Sequence, residues 1–288
     1  MHAGVSTSAA SLILGGWHWE TSVAVPLLAV LATYAVGRRT LRARSRRGVT
    51  SRWATLAFIA GCAALAVALL SSLDAVSTDL FTAHMVQHEL LMAVAAPLVA
   101  AAAPGVAMLW ALPRGARRGL GSAFTSPWLR ATWRRLTRPF DAWLLHAAAI
   151  WIWHVPLFFQ AALANDAIHY AQHATFFGSG LVYWWSVLHP RRREALGLSI
   201  VSLFGTAVQT AALGALLATS HMAWYPAYGT RAAAWGLTAV QDQQLAGLVM
   251  WIPAGFVYLA AALFVFRRWM RQSAWSFENA QHPVRSTI

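Results

Sequence analysis

In 288 residues the chain carries 58% hydrophobic and only 11% charged side chains, against roughly 25% charged in an ordinary globular domain. The net charge of +13 at pH 7 would suit a nucleic-acid partner, but all 22 basic residues are arginines set in short runs between apolar stretches. That is the pattern of membrane topology, so the composition argues for one membrane domain and against nucleic acid or a separate soluble domain.

A helix needs about 20 apolar residues to cross the hydrocarbon core. Read in chain order, the sequence predicts seven such spans at 20–37, 53–73, 84–112, 143–163, 168–188, 197–219 and 245–266. The fold class is therefore an all-α, polytopic membrane helix bundle. An N-terminal segment, 1–19, precedes it and a tail, 267–288, follows it. The N-terminus lacks the basic flank of a secretory signal peptide and is expected to be retained. Pro97 and Pro104 predict a kink or a re-entrant tail in the third span. Gly178 and Gly180 in the fifth span, and Gly205 and Gly214 in the sixth, offer close helix contacts. The sole cysteine, Cys62, lies inside an apolar run, which leaves neither a disulfide framework nor a CxxC site.

Arginine counting orients the bundle. The segment 38–52 holds seven Arg, 113–142 seven, 189–195 three and the C-terminal tail four, which puts 21 on one side and Arg231 alone on the other. The positive-inside rule makes the 21 cytoplasmic, with the N-terminus outside, the C-terminus inside and an odd number of spans in a bacterial inner (plasma) membrane. Tryptophans form belts at both interfaces, Trp17, Trp19, Trp151, Trp153, Trp224 and Trp235 outside, Trp53, Trp110, Trp143, Trp184 and Trp185 inside.

Threading the chain this way sorts its histidines. His84 and His88 open the third span at its outer end, His154 lies toward the outer end of the fourth, and His169 and His173 open the fifth. His221 closes the sixth on the same side, and His18 precedes the first. His84 with His88, and His169 with His173, are i, i+4 pairs on one helical face, with Cβ atoms about 5–6 Å apart, so both imidazoles of a pair reach one ion. Met92 continues the first stripe, Met85 lies beside it and Met222 follows His221. Imidazole with thioether is a ligand set suited to copper. The metal ligands expected are thus His84, His88, His154, His169 and His173, with Asp242, Met85, Met92, His221 and Met222 as additional ligands or outer partners.

Asp74, Asp79, Asp166 and Asp242 also lie outward, and Glu89 adjoins His88. Metal-bound imidazoles commonly donate their other N–H to a carboxylate, and Asp242, followed by Gln243 and Gln244, is the best placed. A single interfacial histidine is usually an amphipathic anchor, so only convergence of several from different helices points to a metal site. His146, about 12 Å deeper than His154 along its helix, reads as structural. His189 and His282 read as cytoplasmic surface residues, His2 as part of a loose terminus, and Gln209 as the donor of an interhelical hydrogen bond. His88-Glu89 begins a zinc-protease pattern, but Met92 stands where its second histidine belongs. No nucleophile elbow or P-loop is present, and no enzyme is expected.

Four ordered motifs carry a family resemblance. HMVQHELLMAVAAPLVAAAAPG from His84 to Gly105, WHVPLFFQAAL from Trp153 to Leu163, HYAQHATFFGSGLVYWWSVL from His169 to Leu188 and DQQLAGLVMWIPAGFVYLAAAL from Asp242 to Leu263 resemble signatures of the multi-spanning CtaG proteins. The resemblance covers roughly residues 17–270. It implies a seven-helix assembly factor of cytochrome c oxidase that places copper in a nascent oxidase subunit, and it nominates His84, His88, His154, His169, His173 and Asp242. A second oxidase assembly family shares the CtaG name but has one span and a copper-binding cysteine pair, which a chain with only Cys62 cannot supply.

The expected partners are a nascent oxidase subunit, the lipid bilayer, an extracytoplasmic copper donor and a second copy sharing ligands in a homodimer. Ligating imidazoles must be deprotonated, so copper binding is expected to weaken below about pH 6.5. The alternative is a haem-binding electron carrier with axial histidines from different helices. A metal permease is weaker still, because the inner halves of the spans are mostly apolar.

Overall fold

Apolar runs of helical length, separated by breaks rich in arginine or proline, fold into helices, and there is no strand among the described residues. The computed structural model describes residues 16, 17, 19–44, 51–192 and 194–281, with 272–281 as backbone course only. His2, His18 and His282 lie outside the described residues, as does most of the segment 1–19.

In chain order the helices are α1 (Thr21–Arg44), α2 (Arg52–Leu70), the short α3 (Ser72–Ser77) and α4 (Phe81–Ala102). There follow α5 (Gly105–Ala111), α6 (Arg114–Thr125), α7 (Pro127–Leu136), α8 (Pro139–His154) and α9 (Pro156–Ala164). The chain ends with α10 (Asp166–Leu188), α11 (Glu194–Thr219) and α12 (Ala239–Gln281). Among the described residues, α1, α2, α4, α11 and the Ala239–Arg271 part of α12 are long and apolar enough to cross a membrane. The α8–α9 pair makes a sixth if it counts as one span, so five or six candidates stand where the sequence predicted seven. The shortfall is α10, whose 23 residues are long enough but whose first two turns carry Asp166, His169, Gln172 and His173.

Helix ends also depart from the predicted spans, mostly at proline. The third span was drawn through to residue 112, but α4 stops at Ala102. Ala103 turns into the left-handed region (φ 45°) and Pro104 opens α5. The fourth span was drawn straight, but it bends by 74° after His154. Val155 takes an extended ψ of 127° because Pro156 excludes the α conformation from the residue before it. The segment 113–142, expected as a loop, forms α6 and α7 without one buried residue. Their arginines alternate with exposed Leu120, Phe124, Trp128 and Trp133, the composition of helices lying in an interface. The expected tail beyond 266 continues as helix to Gln281.

At the centre stands α4, with 61% of its apolar window buried against 22–39% for the other candidate spans. It packs on α2, α3, α10 and α12. Its middle, Leu90–Ala95, is π-helical. There the N–H of Ala96 bonds to the carbonyl of Leu91, five residues back. The next π-type donor, to Met92, would be residue 97, which is proline and has no N–H. The indole of Trp184 on α10 donates to the Met92 carbonyl instead, at 2.9 Å. Pro97 therefore goes with a π turn whose freed carbonyl is capped by a neighbouring helix. Of the glycines expected at helix contacts, Gly214 does meet a neighbour closely. A Cβ there would lie 2.7 Å from the Gly247 carbonyl of α12, whereas Gly178 faces open space.

Candidate metal centre

The outer end of α4 starts at Leu80, whose side chain gives no cap. Asp242, in the first turn of α12, supplies the cap from 160 residues away. Its carboxylate accepts from the Phe81 N–H (2.7 Å), the Thr82 N–H (2.9 Å) and the Thr82 hydroxyl (2.6 Å). A buried carboxylate at a helix N-terminus satisfies orphan donors and meets the positive end of the helix dipole. The same helix carries His84 and His88 one turn apart, so this cap fixes the height and rotation of both.

Five imidazoles from three helices meet there. His84 and His88 rings are 4.3 Å apart, centroid to centroid, and His169 and His173 rings 4.2 Å. The two pairs face each other. His84 lies 5.4 Å from His169 and 6.1 Å from His173, and His88 lies 5.4 Å from His173 and 6.4 Å from His154. One ligand atom each from His84, His169 and His173 fall within 4.8 Å of one another. Nitrogens sharing an ion at about 2.0–2.1 Å can be at most about 4 Å apart, so small ring rotations would close a shell.

The ring nitrogens give the fit its chemical content. His84, His88, His154 and His173 are all buried, and His169 is half-buried. Both nitrogens of His84 and of His88, and the Nε2 of His154, His169 and His173, find no partner in good hydrogen-bond geometry among the described residues. Buried polar groups are normally paired, because desolvation without a partner costs about 1–3 kcal/mol each. A cation coordinated by these nitrogens would relieve that cost. The His154 Nδ1–H donates to the Ile150 carbonyl at 2.7 Å, which leaves its Nε2 lone pair toward the cluster.

Aromatic side chains close the site. Phe159 of α9 and Phe176 of α10 pack against the imidazoles, at 5.0 Å from His84 and 4.6 Å from His88. Over them, in the segment joining α11 to α12, the Tyr225 hydroxyl donates to the His154 carbonyl (2.8 Å) and the Tyr228 hydroxyl to the Ser77 carbonyl (3.1 Å). Burial pushes both phenols up, which keeps them protonated donors. Two cavities reach the cluster. One, of about 480 Å³, is lined by Asp79, Asp166, Arg231, His84 and His169 among others. The other, of about 670 Å³, is an apolar groove beside α1 that passes His169 and His173.

The remaining nominated residues lie elsewhere. Asp242 spends its oxygens on α4 rather than on an imidazole. Met85 and Met92 are buried in an apolar cluster with Phe81, Ile150 and Phe176. His221 and Met222 are exposed beyond α11, because the chain turns out of the bundle at Ser220. His146 is buried apart from the cluster, bonded to Ser179 at 3.0 Å and stacked on Tyr183. His189, expected on the surface, is half-buried and stacked on Trp185, and burial lowers its pKa. The Gln209 amide nitrogen finds no partner among the described residues. Sequence reasoning missed Gln172, buried on α10 between the two histidines, with neither amide atom in good hydrogen-bond geometry to a partner among the described residues. It also missed Gln87, whose amide joins the Ala68 carbonyl to Asp74 at 2.8 and 2.6 Å. Polar residues inside otherwise apolar spans were the available signal for both.

Comparison with known proteins bears on the same region. The chain is 25% identical over 269 residues to uncharacterized proteins of Mycobacterium bovis (Mb0105) and Mycobacterium tuberculosis (MT0111). Each alignment takes in 90% of this chain and 40% of the relative, so the chain spans about two-fifths of the length of these curated relatives. No solved structure matches it. The family described as cytochrome c oxidase caa3 assembly factor matches residues 32–272, a range that holds all five clustered histidines. On that match the chain belongs to the Caa3_CtaG family of cytochrome c oxidase caa3 assembly factors.

Proposed function

We propose that this chain holds copper at the extracytoplasmic end of a membrane helix bundle and hands it to a nascent cytochrome c oxidase subunit. The observation that carries the reading is the convergence of His84, His88, His154, His169 and His173, with ring nitrogens that find no partner in good hydrogen-bond geometry among the described residues. Imidazole suits copper, and a set with one half-exposed member suits an ion that has to be released. The family supplies the client, an oxidase under assembly.

The topology belongs to the same proposal. With α10 counted as a span, the bundle crosses the bacterial plasma membrane seven times, its N-terminus outside and its arginine-rich segments in the cytoplasm. The polar outer turns of α10 are tolerated because His173 and Gln172 are buried against other helices rather than facing lipid. The haem reading has less support, since the imidazoles pack ring against ring with Phe159 and Phe176, a poor setting for a flat macrocycle between two of them.

Metal analysis and an absorption spectrum of detergent-purified protein after copper loading test this. The expected result is stoichiometric copper with no haem band, and loss of the copper in His84→Ala/His173→Ala. Retention of full copper stoichiometry and oxidase maturation in that double variant would refute the site.

A further inference from the structure

Acidic residues are scarce in this chain, nine in all, yet Glu20, Asp74, Asp79 and Asp166 gather around one imidazole. Asp79 and Asp166 line the polar vestibule with His84 and His169. Glu20, Asp74 and Asp166 line the mouth of the groove with His169 and His173. These carboxylates come from four separate places, namely the entry to α1, α3, the turn before α4 and the first turn of α10. The vestibule is lined by His84, which is 1% exposed and whose ring nitrogens find no partner in good hydrogen-bond geometry among the described residues. His169, half-buried, stands between the carboxylates and the buried rings. One cation opposes them. Arg231, the lone arginine assigned to this side, lines the vestibule and donates to the Thr78 carbonyl at 2.8 Å.

We propose that this vestibule is the entry port for the metal cation. The carboxylates draw it from the aqueous phase, His169 receives it first, and it passes inward to His84 and His173. Arg231 sets the strength of the field by cancelling part of it. The inference rests on the copper-binding reading above and adds the route and its electrostatic control. A cleft lined by one sign of charge, with low-dielectric walls, raises cation association by about 10–10³-fold, and salt removes the gain.

Stopped-flow uptake of Cu²⁺ by the purified full chain, followed by quenching of tryptophan fluorescence, separates rate from capacity. Trp153 and Trp224 pack against the apolar cluster that holds Phe159 and Phe176, the rings in contact with His84 and His88, and serve as reporters. At about 0.01 M salt, where the Debye length is about 30 Å, Asp79→Asn/Asp166→Asn should load at least about tenfold more slowly than wild type. Arg231→Gln should load faster. At about 1 M salt, with a Debye length of about 3 Å, the three rates should converge. All should reach the same copper stoichiometry. Asp79→Asn alone, altered outside every helix, should shift the rate in the same direction and guards against disturbance of α10 by the second substitution. Equal rates and equal salt dependence in wild type and double variant would overturn the port. So would loss of stoichiometry in a folded double variant, which would make the carboxylates ligands. If the rates behave as expected but His84→Ala/His173→Ala keeps its copper, the ligand assignment falls and the port stands. A wild type that takes up no copper overturns both.

Discussion

Replacing Asp242 tests whether the best-placed carboxylate is a structural cap or a ligand. Its side chain is fully buried and accepts three hydrogen bonds from the first turn of α4. Asp242→Asn keeps one acceptor oxygen but removes the charge from the helix N-terminus and turns a donor against one of the two backbone N–H groups, a loss of about 2–4 kcal/mol in a buried setting. Asp242→Ala leaves two backbone N–H groups without an acceptor. At about 1–3 kcal/mol for each stranded donor, destabilisation should reach about 3–5 kcal/mol. Equilibrium unfolding in mixed detergent micelles measures both, with copper stoichiometry determined on the folded fraction. The folded Asn variant should still bind copper, more weakly, because His84 and His88 ride on the helix it caps. Wild-type stability in Asp242→Ala together with complete loss of copper would show that the residue binds metal and that the cap argument is wrong.

Other consequences of the packing can be measured in the same way. Trp184→Phe strands the Met92 carbonyl opposite Pro97 and should cost about 1–3 kcal/mol, with little change in copper stoichiometry. Ala103→Gly relieves a left-handed residue, worth roughly 1–2 kcal/mol, against a chain-entropy cost of about 0.5–1 kcal/mol, so unfolding should show a net gain of about 0–1.5 kcal/mol. Gly247→Leu forces side-chain atoms onto the Gly214 backbone and should destabilise by about 1–3 kcal/mol or more, splaying α11 from α12.

Much of the fold was legible because hydrocarbon makes a blunt demand. A crossing helix has to be long and apolar, so α1, α2, α4, α11 and α12 announce themselves in the composition, and the arginine runs divide them into two sides. Where several demands compete, reading is less complete. The helix α10 was drawn from the sequence at 168–188 and forms there, but its polar first turns hold it below the apolarity of the other crossing helices. Amphipathic α6 and α7 carry too much arginine to read as spans and were taken for loop. Proline was seen at 97 and 104 and passed over at 156, and whether it kinks, caps or is absorbed depends on what a neighbouring helix can donate, as Trp184 does to Met92.

The same division holds at the site. Helical period alone paired His84 with His88 and His169 with His173, because residues four apart share a face whatever surrounds them. Counting sides put His154 and His221 at the same end of the bundle. Both were nominated, His154 as a ligand and His221 as an additional one, and the tertiary structure brings His154 to the cluster and leaves His221 outside it, since one ends a helix in the core and the other lies in a turn beyond its helix. Only the tertiary structure gave Asp242 to the α4 N-terminus and collected Glu20, Asp74, Asp79 and Asp166 around His169. Period and polarity are local properties that a sequence states outright, whereas partnership between residues 66 to 161 positions apart, as in His88 with His154 and Phe81 with Asp242, is settled by how the helices pack.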